Sequence, residues 1–181
     1  MSEHGEKKER GVKNHPFVSY LEHLRDDEVR STKALAQLRR GLGKRMGTPD
    51  MYLYVVPFLP EHQQEQERYF LIASLFALHP ERAPRGISIG MTFWNVYLES
   101  DHSESIERRF KALLASDIED LGHKLRSAVS LAKSKGVGID YHRLFYDIKN
   151  WDHPDGFVQM SWARDFWGFQ GEKENKNDKG E

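Results

Sequence analysis

The stretch "ISIGMTFWNVYLES" (residues 87–100) admits two readings, and the choice between them sets the fold class. Its β-branched and aromatic content suits a strand. A helix starting from Ser88 competes, and the pattern on either side favours the helix. Upstream, the loop "ERAPRG" (81–86) follows "QQEQERYFLIASLFALHP" (63–80), a mostly buried helix ended by Pro80. Downstream, residues 104–115 put Ile106, Phe110, Leu113 and Leu114 on one side. Asp117 opens a further helix with the stripe Ile118, Leu121, Leu125, Ala128 or Val129, and Ala132. Gly136 suits the left-handed position just past its end.

The same period recurs towards both termini. Pro16 stands at a first helical position, ahead of Phe17, Tyr20, Leu21 and Leu24 on one stripe. A second helix is expected from about Asp27 to Leu42, with Ala34, Leu35, Leu38 and Leu42 inward. Thr48 and Pro49 start a third, which stops near Pro57 or Pro60. Asp140 caps "YHRLFYDIKNW" (141–151), with Leu144, Phe145 and Ile148 inward, and the final helix sets Phe157, Met160, Trp162 and Phe166 against the rest. The expected fold is all-α, a compact bundle of about eight or nine helices. One domain spans 16–169, between a flexible N-terminal segment (1–15) and a flexible charged tail (170–181).

The 181 residues are 38% hydrophobic and 30% charged, with no cysteine and a formal net charge of −1. That composition suits a soluble protein and excludes disulfides, thiolate metal sites and cysteine nucleophiles. No apolar run approaches the roughly 18 residues of a membrane span, and residues 1–15 lack a signal peptide's apolar stretch. The expected location is therefore cytoplasmic, with no membrane partner. Charge is unevenly spread, however. Between Glu28 and Arg45, six basic residues (Arg30, Lys33, Arg39, Arg40, Lys44, Arg45) face one acid. Local potential governs polyanion binding, so a neutral total leaves that binding open.

Catalytic patterns are missing. The nine histidines include no His-Glu-x-x-His, no His-x-His and no i, i+4 pair, and His123, His142 and His153 read as surface or half-buried. Asp117, Glu119 and Asp120 cluster at a helix start, where the macrodipole favours negative charge. In "LRRGLGKR" (38–45) the glycines are one residue apart, Lys44 precedes Arg45 rather than a hydroxyl, and a helix stands where a phosphate loop needs a strand. No catalytic, metal or cofactor site is expected. The informative residues are basic: Arg39, Arg40, Lys44 and Arg45 around the glycines, Arg108, Arg109 and Lys111 on the 104–115 helix, and Lys124, Arg126 and Lys133 on the next. Such a set suits sequence-independent contact with a nucleic-acid backbone. The residues alone also permit a helical protein-protein adaptor with solvated charges, or a metal-dependent nuclease using Asp117 or Asp140.

Several stretches together resemble CasB, the small-subunit family of the type I-E CRISPR complex Cascade. They are "LRRGLGK" (38–44), "YVVPFLP" (54–60), "GISIG" (86–90), residues 107–151 and "WARDFW" (162–167). The resemblance runs from about Phe17 to Trp167 and rests on their order and spacing. It implies a non-enzymatic all-α protein that pairs with a second copy, contacts other Cascade subunits, and helps hold guide RNA, target strand and displaced strand in antiviral defence. By position it assigns backbone contact to Arg39, Arg40, Arg108, Arg109 and Arg126. Some members carry a basic residue soon after "ALL", where this chain has Ala115 and Ser116. In such complexes base pairing reads sequence, while protein neutralises phosphates and favours the open loop.

Overall fold

In the computed structural model, which describes residues 13–177 and their side chains to Gly168, the contested stretch is a helix. Ser88 caps it, its hydroxyl accepting from the Met91 N–H at 3.3 Å and donating to Asp165. The helices in chain order are α1 (Pro16–Asp26), α2 (Ser31–Arg39), α3 (Pro49–Val55), α4 (Gln63–Leu78), α5 (Ile89–Leu98), α6 (Glu104–Leu114), α7 (Ile118–Ser134), α8 (Tyr141–Lys149) and α9 (Phe157–Asn177). Among the described residues the only β-pairing is an isolated bridge between Arg82 and Ile139. A strand at 89–98 would have no ladder to join, whereas a helix satisfies its own backbone.

Helix α5 buries Ile89, Gly90, Thr92, Phe93, Trp94 and Val96 and packs most extensively on α9. Gly90 makes that approach possible, because a methyl there would overlap the Trp162 carbonyl. Helix α4 runs through the centre, buried from Ile72 to Ala77 and touching α2, α3, α7 and α8. Its last carbonyls are satisfied from other elements, as buried helix ends require. The Tyr141 hydroxyl lies 2.9 Å from the Leu75 carbonyl and 2.8 Å from that of His79, and Arg39 Nε donates to Ala77 at 3.0 Å.

Several expectations need correction. Helix α2 starts at Ser31, not Asp27, because the Asp27 carboxylate accepts from the Val29 and Arg30 N–H groups and holds a turn there. It stops at Arg39, and Leu35 and Leu42 only border the core. Ile118, at the first position of α7, is 37% exposed. On α9 the inward line is Val158, Trp162 and Phe166, while Phe157 and Met160 are 37% and 53% exposed. Trp162 sets that rotation, with its backbone against Gly90 and its indole N–H 2.7 Å from Asp147. His142, expected near the surface, is buried: its Nδ1 accepts from the His15 N–H at 2.8 Å and its Nε2 faces Glu22 at 3.3 Å. His15, inside the segment read as flexible, is the N-cap of α1, and α9 continues past residue 169 to Asn177. The remainder of both end segments, 1–12 and 178–181, lies outside the described residues.

Asp147 is fully buried on α8, paired with Arg143 Nε at 2.9 Å as well as with Trp162. Burial pushes its carboxyl up to about 6, against the opposing pull of Arg143 and Trp162. The unfolded chain releases this proton near the ordinary value, so Asp147 favours folding most below about pH 4. That contribution falls as pH rises to about 6, by about 3 kcal/mol, and is flat above. Urea unfolding from about pH 4 to 8 should show wild type losing stability relative to D147N across that window and not beyond it. G90A should cost about 2 kcal/mol or more through overpacking. G122A, whose methyl would meet only Leu71 at 3.6 Å, should instead gain about 0.5–1 kcal/mol in the same assay.

Candidate nucleic-acid interface

Helices α6 and α7 are joined by a short turn and pack side by side, α6 inward through Ile106, Phe110 and Leu113 and α7 through Leu121, Leu125, Ala128, Val129 and Ala132. At about 100° per residue, this core line leaves His123, Ser127, Ser130 and Ser134 along the opposite side of α7. Arg109 reaches over from α6. Together with Arg126 and Leu131 these residues line an open groove of about 400 Å³. A second cleft of about 360 Å³ continues past Arg109 and Leu131 to Lys135, Glu99 and Asp101.

The other wall is reached through the glycine loop. A Cβ on Gly43 would lie 3.6 Å from Arg126 Nη1, so the guanidinium rests against the backbone beside Lys44. Gly43 has φ +79°, a left-handed conformation that suits glycine and brings the loop close. Gly41 acts differently: it is buried, and a methyl there would overlap the Met51 sulfur.

The structure divides the ten expected contacts by their partners. Arg40 Nη1 is 2.8 Å from Asp50, and Arg45 grips Glu67 with two bonds of 3.0 and 2.9 Å. Lys111 lies 2.7 Å from Glu107, holding that carboxyl below the usual range, and 5.9 Å from the Trp167 ring centre. Arg39 serves the end of α4. Among the described residues Lys44, Arg108, Arg109, Lys124, Arg126 and Lys133 stand in no ion pair. Not all of these meet, however. Arg109 and Arg126 line the groove, and Lys44 follows the glycine against which Arg126 rests. Arg108 points about 100° from Arg109 around α6, and Lys124 about 160° from Arg126 around α7. Lys133 follows Arg126 two turns along, on the same side.

The carboxylates named as possible metal ligands are occupied as caps. Asp117 accepts from the Asp120 N–H at 2.9 Å. Asp140 accepts from His142, Arg143 and Gly86 N–H groups, and burial pushes its carboxyl up. Among the described residues no three His, Asp or Glu side chains are placed to hold a metal ion. No described helix is long and apolar enough to cross a membrane.

Sequence reasoning missed His123 and the three groove serines. Their signal was the spacing 123, 127, 130, 134, which makes one line on a helix. Small polar residues mark any solvent face, so the line meant little until Arg109 closed over it.

The family model for CRISPR-associated protein Cse2 matches residues 34–167. A Cse2 protein of Thermus thermophilus is 34% identical over 164 residues, 88% of this chain and 93% of its own. The crystal structure of CasB from Thermus thermophilus matches with a TM-score of 0.72 at 34% identity, over 84% of this chain and 96% of that one. A chain of a CRISPR RNA-guided surveillance complex has the same fold, with a TM-score of 0.70 at 21% identity over 89% of this chain and 94% of that one.

Proposed function

This chain belongs to the CRISPR-associated Cse2 (CasB) family, and from that premise we propose that it is a non-enzymatic subunit of the RNA-guided surveillance complex Cascade, binding nucleic-acid backbone to stabilise the R-loop. The observation that carries the binding role is the pair Arg109 and Arg126: exposed, without carboxylate partners among the described residues, and on opposite sides of one polar groove. Guanidinium forks match phosphate oxygens, and their stems pack along helix surfaces. Serine hydroxyls between them offer further donors to the same oxygens. Nothing in this arrangement reads bases; sequence is left to the guide.

Guide RNA, target strand and displaced strand are the nucleic acids such a subunit meets. A second copy of the chain and the other Cascade subunits are its protein partners, in the cytoplasm. Two copies in one assembly would raise an affinity that a single chain of net charge −1 has only weakly. A protein-facing role for another surface is supported by α3 and the turn after it, where Tyr52 and Leu53 are exposed together with Val56, four and three residues on.

R109A/R126A should weaken R-loop formation by the assembled complex while assembly itself is retained. Each lost single-strand contact should lower the log–log salt slope by about 0.7. R40A/R45A, which removes cations already paired with Asp50 and Glu67, should change that slope less. An unchanged slope for R109A/R126A in titrations of the assembled complex would overturn the assignment.

A further inference from the structure

We infer that His123 is a third cationic contact of the α6–α7 groove, an imidazole that takes up a proton as a phosphodiester enters between Arg109 and Arg126. This rests on the groove binding nucleic-acid backbone. His123 is exposed, lines the same groove as both arginines, and precedes Arg126 by three residues, so the two side chains leave adjacent turns of α7. Its own turn is held regardless of the ring's state, since the Ser127 hydroxyl donates to the His123 carbonyl at 3.3 Å. Among the described residues neither ring nitrogen has a partner, so both remain for a ligand.

The surrounding charges determine how the ring responds. From α6, Arg109 faces it; on α7, Lys124 is adjacent and Arg126 lies one turn on. Glu119 and Asp120 lie one turn towards the start of α7, with the Arg45–Glu67 pair near Glu119. Beyond Arg109, Glu99 and Asp101 balance Lys135 in the adjoining cleft. A phosphate between the arginines cancels their repulsion and adds a negative neighbour, which shifts the imidazole towards its charged form. Imidazole protonation is the side-chain charge change available between about pH 5 and 8, so the span from about pH 6 to 8 reads it. The bound state then holds more protons than the free state, and affinity rises as pH falls. If the phosphate raises the imidazole by about one unit, the gain from pH 8 to 6 is about sixfold.

The test uses the full chain and a fluorescein-labelled single-stranded DNA of about 20 nucleotides, titrated near pH 6 and 8 at about 50 mM salt, where backbone contacts dominate. Wild type should bind about sixfold more tightly at the lower pH. H123Q should keep the wild-type affinity at pH 8 and lose that gain, and H123K should bind at both pH values with at least the wild-type affinity at pH 6. In parallel, the proton resonance of the His123 ring, assigned by its loss in H123Q, should titrate higher once DNA is added. A wild-type pH dependence surviving in H123Q, or a ring titration unmoved by DNA, overturns the role of His123. If R109A/R126A still loses binding in that case, the groove reading stands without it; if R109A/R126A binds like wild type, the groove reading itself fails.

Discussion

Trp162 ties α8 and α9, neighbours in the chain, to the much earlier α5. Its main chain lies so close to α5 that only glycine fits at position 90, and its indole N–H reaches the buried Asp147 on α8. Its ring also packs against Trp151, with centroids 5.0 Å apart. A buried carboxylate with a single partner would be costly; here Arg143 and the indole share it, and burial still pushes its proton affinity up. These contacts fix the rotation of α9, which places Phe166 against Phe110 of α6 at 4.6 Å between ring centroids. The position of α6 therefore depends on α9, and with it the place from which Arg109 extends.

The groove is polar because it lies on the side of α7 turned away from the core. The core takes the Leu121–Leu125–Ala132 line, and the opposite line is left to His123 and serines. Its charge arises from the pairing of other cations. Asp50, Glu67 and Glu107 each sit beside a basic residue and neutralise it, and none of the three reaches Arg109 or Arg126. A chain of net charge −1 can thus present at one place two arginines that stand in no ion pair among the described residues.

Much of the fold was legible because burial leaves a period. The stripes of α1, α6, α7 and α8 could be read nearly residue by residue, and Ser88, Asp117 and Asp140 cap the helices their side chains suggested. The failures share a cause. Phe157 and Met160 have the composition of core residues, but α9 is rotated by Trp162, and hydrophobicity alone does not encode rotation. His142 looks like a surface histidine until His15 and Glu22, more than a hundred residues away, supply its partners. Asp27 resembles a helix start, and its carboxylate instead accepts from the Val29 and Arg30 N–H groups in a turn ahead of the helix.

The ten basic residues show the same division. The sequence by itself determined that they exist, that Arg126 and Lys133 share a line, and that no phosphate loop or metal motif accompanies them, since these follow from residue type and local spacing. Apart from Lys111, whose partner Glu107 stands one turn earlier on α6, which of them are paired was decided only by tertiary structure. Arg45 meets Glu67 across 22 residues, Arg39 meets the end of α4 across 38, and Arg126 meets Gly43 across the gap between α7 and a loop. Charge is carried by the residue, but its availability depends on what the packed helices bring within a few ångströms, and no local period records that.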